Sequence, residues 1–162
     1  MKFKLVALSV ALLATSGAFA QNTDTLAKIK ASGTINLGVR DSSALSYTLG
    51  NGKYVGFHTE MAEHIIADLQ KQLGLSKLEI KYQPITSQNR VPLVTNGTVD
   101  LECGSTTNNA TRAKDVAFAV TTYVEEVRIA TKANSGIQSV KDLNGKTVAT
   151  TTGTTSVQTL RK

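Results

Sequence analysis

Short apolar segments that alternate between strand and helix patterns constrain the fold of this chain more than any other feature. Three segments have strand character, with apolar and β-branched residues bounded by turns: Thr34–Val39, Leu78–Ile85 and Val99–Cys103. A helical pattern separates each strand from the next. The order strand, helix, strand, helix, strand predicts an α/β fold with a mostly parallel sheet and right-handed crossovers.

The longest helix is predicted from apolar residues that recur every four positions. They are Phe57, Met61, Ile65, Leu69 and Leu73, with Ala62 and Ile66 beside them. This spacing predicts one apolar helix face, which we expect in the core, and Gly74 ends the helix. Shorter helices are predicted over Thr25–Ser32 and Asn89–Thr95, and Asn51-Gly52 predicts a hairpin turn.

The pattern changes after Lys114. We predict an extended stretch over Val116–Ala133, a short helix over Ser139–Leu143 and a strand over Lys146–Ala149. A loop over Thr150–Ser156 follows, and another helix would start at Val157. One strand and the first turn of a helix begin a domain and do not complete it. The sequence therefore predicts one α/β unit followed by the start of a second.

The N-terminal residues have the organisation of an export signal. Lys2 and Lys4 precede the apolar stretch Leu5–Ala14, and Ala18-Phe19-Ala20 forms an A-x-A cleavage site. We therefore predict a signal peptide over residues 1–20, with an uncleaved anchor as the alternative. The one cysteine of the sequence, Cys103, lies too far along to carry a lipid there. It is either a free thiol or half of a pair whose partner lies elsewhere.

The charge pattern argues against a nucleic-acid partner. The net charge is +6, without runs of Lys or Arg, and aromatic residues make up 5% of the chain. A nucleic-acid surface would cluster its positive charges and offer aromatic rings for stacking.

Arginines fall at the carboxyl ends of the predicted strands or in the loops that follow. Arg40, Arg90 and Arg112 occupy such positions, and Ser87 and Ser105 lie beside them. Ligands of parallel sheets bind at this edge, and a guanidinium holds a carboxylate through two charge-assisted hydrogen bonds. The alternative for each arginine is a solvated surface charge. The hydroxyls of residues 105–107 suit an anion site, with helix capping as their alternative.

Signals for an enzyme or a metal site are weak. Glu60 and His64 lie one helical turn apart, but no third ligand accompanies them. His58 and His64 are the histidines of the chain, and neither forms part of a recognisable Ser-His-Asp arrangement. We predict no catalytic residue, no metal and no cofactor.

Two longer motifs carry a family resemblance. Residues 85–90 (ITSQNR) with 96–109 (NGTVDLECGSTTNN) closely resemble periplasmic glutamate/aspartate-binding proteins of solute-binding protein family 3. Residues 145–149 (GKTVA) and 152–156 (TGTTS) also resemble that family. The resemblance extends from about Leu26 to Lys162.

The resemblance implies two α/β lobes that close on a ligand. It implies a first lobe over residues 21–120, an inter-lobe crossing over 121–134, and an incomplete second lobe over 135–162. The α-carboxylate would be held by Ser105, Thr107 and Arg112. The side-chain carboxylate would be held by Arg40, Ser87 and Arg90. Thr155 would reach across the cleft.

The function implied is binding of an acidic amino acid, glutamate or aspartate, in the periplasm for delivery to an ABC-transporter permease. We expect a monomer. Two alternatives remain open: a dehydratase-like periplasmic enzyme on the same fold, with Glu102 and Asp41 as the nearby carboxylates, and a ligand-sensing module.

Overall fold

The computed structural model describes residues 24–41 and 43–161. The predicted signal peptide, residues 1–20, lies outside them. In the described part of the chain the helices are α1 (Thr25–Ser32), α2 (Phe57–Gln72), α3 (Arg90–Thr95) and α4 (Thr155–Leu160). The strands are β1 (Thr34–Val39), β2 (Tyr47–Gly50), β3 (Lys53–Val55), β4 (Glu79–Pro84) and β5 (Leu101–Glu102). Single 3₁₀ turns lie at Arg112–Lys114 and Val140–Leu143.

A parallel sheet of order β4-β1-β5 forms the centre of the fold. β1 pairs along its whole length with β4, from Thr34 opposite Glu79 to Val39 opposite Pro84. β5 pairs on the other side, with Leu37 opposite Leu101. The predicted α/β fold with a parallel sheet is confirmed. β2 and β3 form a separate antiparallel hairpin around the predicted Asn51-Gly52 turn.

The core lies between one face of this sheet and the helices α1 and α2. Its buried members are Ile29, Ile35, Leu37, Val39, Ala62, Ile66 and Leu78. The alternate residues of β1 supply the middle of the cluster, because successive side chains of a strand point to opposite faces. This layer fixes where β1 ends, and therefore where Arg40 leaves the sheet.

The predicted core face of α2 is partly wrong. Phe57 and Ile65 are 51% and 49% exposed, whereas His58, Ala62 and Ile66 are buried. A spacing of four residues drifts around a helix of 3.6 residues per turn, so five such positions do not share one line. The line that faces the sheet runs from His58 through Ala62 and Ile66, which belong to the predicted face, and Leu69 and Leu73 also pack against the core.

The opposite face of the sheet meets the segments around α3. A methyl on Gly38 would lie 3.0 Å from Val99 Cγ1, 3.2 Å from Ile85 Cδ1 and 3.6 Å from Glu102 Cβ. The glycine therefore lets these side chains approach the carboxyl end of β1. Glu102 lies on this face, away from the main core cluster.

Asp100 joins three parts of the structure. Its side chain accepts hydrogen bonds from Lys28 Nζ at 2.7 Å and from the backbone N–H of Asn36 at 2.9 Å. The Asp100 side chain is 2% exposed. The carboxylate thus fastens α1 and β1 to the residues that precede β5.

The segments after β5 differ from the prediction in several places. β5 is confined to Leu101–Glu102. Asp100 N–H still donates to the Asn36 carbonyl oxygen of β1, but Val99 N–H donates to the Leu93 carbonyl oxygen and not to β1. Within the described residues no strand forms at Lys146–Ala149, so that prediction was wrong: no neighbouring strand offers hydrogen bonds there. The last helix, α4, begins at Thr155, two residues before the predicted Val157.

Residues 117–132 contain no helix or strand in the described part of the chain. Val120 and Val124 are 85% and 86% exposed in this stretch. The boundaries predicted for the two lobes and the crossing remain predictions. Among the described residues, none of the helices has the length and apolar character needed to span a bilayer.

Candidate functional site

Arg40 follows β1 directly, and its backbone is fixed by a buried serine. Ser46 Oγ accepts from Arg40 N–H at 3.3 Å and donates to the Arg40 carbonyl oxygen at 2.8 Å. Thr59 Oγ1 lies 3.1 Å from the same Ser46 oxygen. The Arg40 side chain then donates from Nη1 to Ser87 Oγ at 2.8 Å. Two residues predicted to share a ligand carboxylate are therefore in direct contact.

Arg90 begins α3 after a tightly bonded turn. Thr86 N–H donates to Asn89 Oδ1 at 2.7 Å, and Asn89 N–H donates to Thr86 Oγ1 at 3.2 Å. The guanidinium of Arg90 is directed inward, since the residue is only 3% exposed. Its Nε and Nη1 atoms have no hydrogen-bond acceptor among the described residues. A buried cation without acceptors is costly, and such groups are concentrated at binding sites.

The surroundings of Arg90 explain its electrostatics. Its pKa is lowered to about 10 by burial and, to a smaller extent, by nearby Arg112 and Arg40, while nearby Glu102 raises it. The predicted arginines therefore lie close enough to influence one another. The positive potential that results at this edge of the sheet favours an anion.

Arg112 connects two loops. Its backbone N–H donates to Asn109 Oδ1 at 3.0 Å, which fixes the start of the 3₁₀ turn. Its side chain donates to the Thr107 carbonyl oxygen at 2.9 Å and to the Gly153 carbonyl oxygen at 3.0 Å. The threonine-rich loop of residues 150–156 therefore lies over the strand ends, although its sequence is distant.

Gly153 allows this loop to come close to the turn before Arg90. Its φ angle is +81°, and a methyl there would lie 2.5 Å from the Ser87 carbonyl oxygen. Thr155 is the first residue of α4 and is half-buried. Its predicted role toward a ligand remains a prediction.

The hydroxyl-bearing loop after β5 differs in exposure from residue to residue. Ser105 and Thr107 are exposed, and Thr107 contributes its carbonyl oxygen to Arg112. The intervening Thr106 is half-buried, and its Oγ1 atom is buried without a hydrogen-bond partner among the described residues. The loop brings its backbone to Arg112, while the ligand contacts of the Ser105 and Thr107 hydroxyls remain predictions.

Glu102 and His58 were not included among the predicted site residues. Glu102 Oε1 and His58 Nδ1 are buried and lack hydrogen-bond partners in the described part of the chain. Both residues, with Thr106, line a cavity of about 350 Å³ beside residues 118–125. The sequence did offer a signal for Glu102, because it places this charged residue within a predicted strand that is otherwise largely apolar.

No group of three or more His, Cys, Asp or Glu side chains suitable for a metal ion occurs among residues 24–41 and 43–161. Glu60 and His64, the pair considered from the sequence, lie on the outer side of α2 with Phe57 and Asp68. What the described edge offers chemically is a set of guanidinium, hydroxyl and backbone groups suited to holding carboxylates.

Comparison with known families decides the assignment. The model of bacterial extracellular solute-binding proteins, family 3, matches residues 35–160. The chain belongs to this family. The resemblance predicted from the sequence motifs is confirmed, and the family 3 match includes the site residues described above.

Some curated relatives of this family 3 chain are named for glutamate and aspartate, while others, such as a protein of Geobacillus stearothermophilus, are named for glutamine. The chain is 43% identical over 157 residues to an L-glutamate/L-aspartate-binding protein of Pseudomonas aeruginosa, covering 96% of this chain and 52% of that protein. It is 45% identical over 139 residues to a glutamate/aspartate import solute-binding protein of Salmonella typhimurium, covering 85% and 46%. The chain thus spans about half the length of the curated relatives that it matches.

Solved structures place the family 3 fold beside other amino-acid receptors. An ancestral arginine-binding protein bound to glutamine superposes with a TM-score of 0.63 at 27% identity, covering 80% of this chain and 55% of that one. The solute receptor for L-cysteine of Neisseria gonorrhoeae gives 0.51 at 32% identity, covering 59% and 37%.

Proposed function

We propose that the whole protein binds an acidic amino acid, glutamate or aspartate, outside the cytoplasm and delivers it to the permease of an ABC transporter, without chemical change to the ligand. The observation that carries this proposal is Arg90, buried and lacking acceptors on two of its nitrogens, within the electrostatic influence of Arg40 and Arg112. A carboxylate would supply the missing acceptors and offset the positive charge.

The site divides into two carboxylate positions. Arg40, Ser87 and Arg90 would hold the side-chain carboxylate, supported by the Arg40–Ser87 hydrogen bond of 2.8 Å. Ser105, Thr107 and Arg112 would hold the α-carboxylate that every amino acid carries.

The threonine-rich loop approaches a residue of each proposed position, because the carbonyl oxygen of Gly153 accepts from Arg112 and a methyl on Gly153 would lie 2.5 Å from the Ser87 carbonyl oxygen. Thr155 follows two residues later and would approach the ligand from that side. Closure around the ligand would strengthen each contact, since charge interactions increase as water is excluded.

The relatives named for glutamate and aspartate support an acidic ligand, and their greater length indicates how the site is completed. We propose that the family-length protein closes a second lobe over the arginines. Export through a signal peptide of residues 1–20 belongs to the same proposal. Periplasmic protein should then begin at Gln21, and recovery with Met1 intact would contradict export by cleavage.

Calorimetry on the full-length protein tests the ligand. Arg90→Ala should weaken glutamate binding by about 2–5 kcal/mol, because it leaves a ligand charge unpaired. Any residual binding of glutamine, which lacks the second carboxylate, should change less. Arg112→Ala should weaken the binding of both ligands.

Arg128→Ala is the matched control, since Arg128 is exposed and paired with Glu126. Equal losses for glutamate and glutamine in Arg90→Ala would contradict the assignment of the side-chain carboxylate. Tight binding of neutral amino acids in preference to both diacids would contradict the proposed function itself. Gel filtration tests the expected monomer, and reconstitution with the permease tests delivery.

A further inference from the structure

Glu102 places a carboxylate close to the arginines, although it is not one of the predicted ligand contacts. A methyl on Gly104 would lie 2.5 Å from Glu102 Oε1 and 3.4 Å from Arg40 Cγ. The Glu102 carboxylate therefore lies against Gly104 and near the aliphatic part of the Arg40 side chain. Its Oε1 atom is buried and receives no hydrogen bond from the described residues.

The position of Glu102 follows from the strand. β5 pairs with β1 so that Glu102 lies opposite Gly38, on the face that carries Val99 and Ile85. Leu101 and Cys103 pack on the other face, against the main core. The same alternation that buries the apolar residues thus directs this one charge toward α3 and Arg90.

Glu102 acts on the arginines through its field. Among the described residues no ion pair joins it to Arg90, yet its charge raises the pKa of Arg90 against the lowering caused by burial, Arg112 and Arg40. Inside a protein a unit charge acts over several ångströms with much less screening than in water. Glu102 therefore offsets part of the positive potential that a ligand meets.

We propose that Glu102 is a specificity-determining residue that makes the site prefer an amino diacid over a dicarboxylate without an ammonium group. This inference rests on the proposed function. An amino diacid carries two carboxylates and one ammonium, so its net charge is one unit less negative than that of the plain diacid. A fixed negative charge in the site attracts the ammonium and penalises the diacid that lacks it.

The test compares glutamate with glutarate, which has the same carbon chain without the amino group. In the full-length protein, calorimetry gives the ratio of the two dissociation constants for the natural sequence, Glu102→Gln and Glu79→Gln. We expect Glu102→Gln to lower the ratio of the glutarate dissociation constant to the glutamate dissociation constant by about tenfold or more, because one nearby charge is removed. Glu79→Gln should leave the ratio unchanged, since Glu79 is exposed at the amino end of β4.

The ratio separates this role from a structural one. A residue that only supports the fold would weaken both ligands alike, and an unchanged ratio in folded Glu102→Gln would overturn the inference while the proposed function stands. If the amide variant does not fold, Glu102→Leu removes the charge without burying an unpaired polar group, and the same ratio decides. A natural protein that binds neither glutamate nor aspartate would overturn both proposals.

Discussion

Gly153 lies against the backbone of Ser87 so closely that a methyl at position 153 would come within 2.5 Å of the Ser87 carbonyl oxygen. The contact places a loop from late in the chain on the turn that precedes Arg90. Any movement of the loop of residues 150–156 must therefore either carry the turn before Arg90 with it or break the contact between them.

Gly153→Ala should detach this loop. The added methyl collides with backbone atoms, and a positive φ is unfavourable for alanine. Amide hydrogen exchange of residues 150–156 should accelerate, and so should exchange around Ser87. Gly145→Ala is a suitable control, because Gly145 also has a positive φ, of +72°, but a methyl there meets no atom within 4 Å. Similar exchange in the two variants would show that backbone strain alone, without the collision, explains the effect.

Asp100→Ala should lower the free energy of unfolding by about 1–3 kcal/mol, because the backbone N–H of Asn36 and the Lys28 ammonium lose a buried acceptor. Urea denaturation measures the change. Asp68→Ala removes an exposed carboxylate paired with Lys71 and should have little effect. A loss for Asp100→Ala no larger than that of the control would contradict the role given to Asp100.

Stability should fall as the pH is lowered through the range in which His58 is protonated. Burial lowers the pKa of His58 below 6.5, although nearby Glu102 raises it. The unfolded chain therefore takes up this proton first, so the loss begins near pH 6.5 and is complete below the folded-state pKa. Urea denaturation from about pH 7.5 to 4.5 measures it.

His58→Gln should remove that part of the pH dependence, whereas His64→Gln, on the exposed side of α2, should retain it. Asp142 does not interfere, because its pKa is lowered by backbone and side-chain hydrogen bonds. Its contribution is lost as the pH falls from the ordinary pKa of an aspartate, about 4, toward its lower folded-state pKa, and both lie below the range of about pH 7 to 5. An unchanged slope between about pH 7 and 5 in His58→Gln would assign the dependence to other groups.

The Cys103 thiol should react slowly while the protein is folded. Burial and, to a smaller extent, the nearby charge of Glu102 raise its pKa to about 11. At about pH 8 a disulfide reagent should label it roughly a hundredfold more slowly than free cysteine, because the thiolate is the reacting form. Labelling in concentrated guanidinium chloride should proceed at the ordinary rate. Rapid labelling of the folded protein would contradict this burial.

The sheet could be predicted from the sequence because its strands are short, apolar and separated by clear helix and turn signals. The same reasoning failed on α2 at Phe57 and Ile65, since a sequence pattern cannot distinguish apolar residues that stay exposed from those that are buried in the core. It also failed at Lys146–Ala149. Strand propensity is local, whereas a strand requires a neighbour to accept its hydrogen bonds.

The candidate site was predictable where it depended on strand ends. The Arg40 and Ser87 side chains form a hydrogen bond, as their positions after neighbouring strands suggested. The burial of Arg90 was not predictable, because it depends on how closely α3 approaches the sheet. That distance is set by Gly38 and the side chains around it.

The buried guanidinium of Arg90 also makes melting temperature a practical means of ligand identification. Among the described residues, Nε and Nη1 of Arg90 find no hydrogen-bond acceptor, which lowers the stability of the fold. Under the proposed function, a carboxylate ligand would supply these acceptors as it binds. Mass action adds about 2.7 kcal/mol of stability when the ligand is present at a hundred times its dissociation constant. A thermal screen of amino acids and organic acids would therefore rank candidate ligands without labelling or transport measurements.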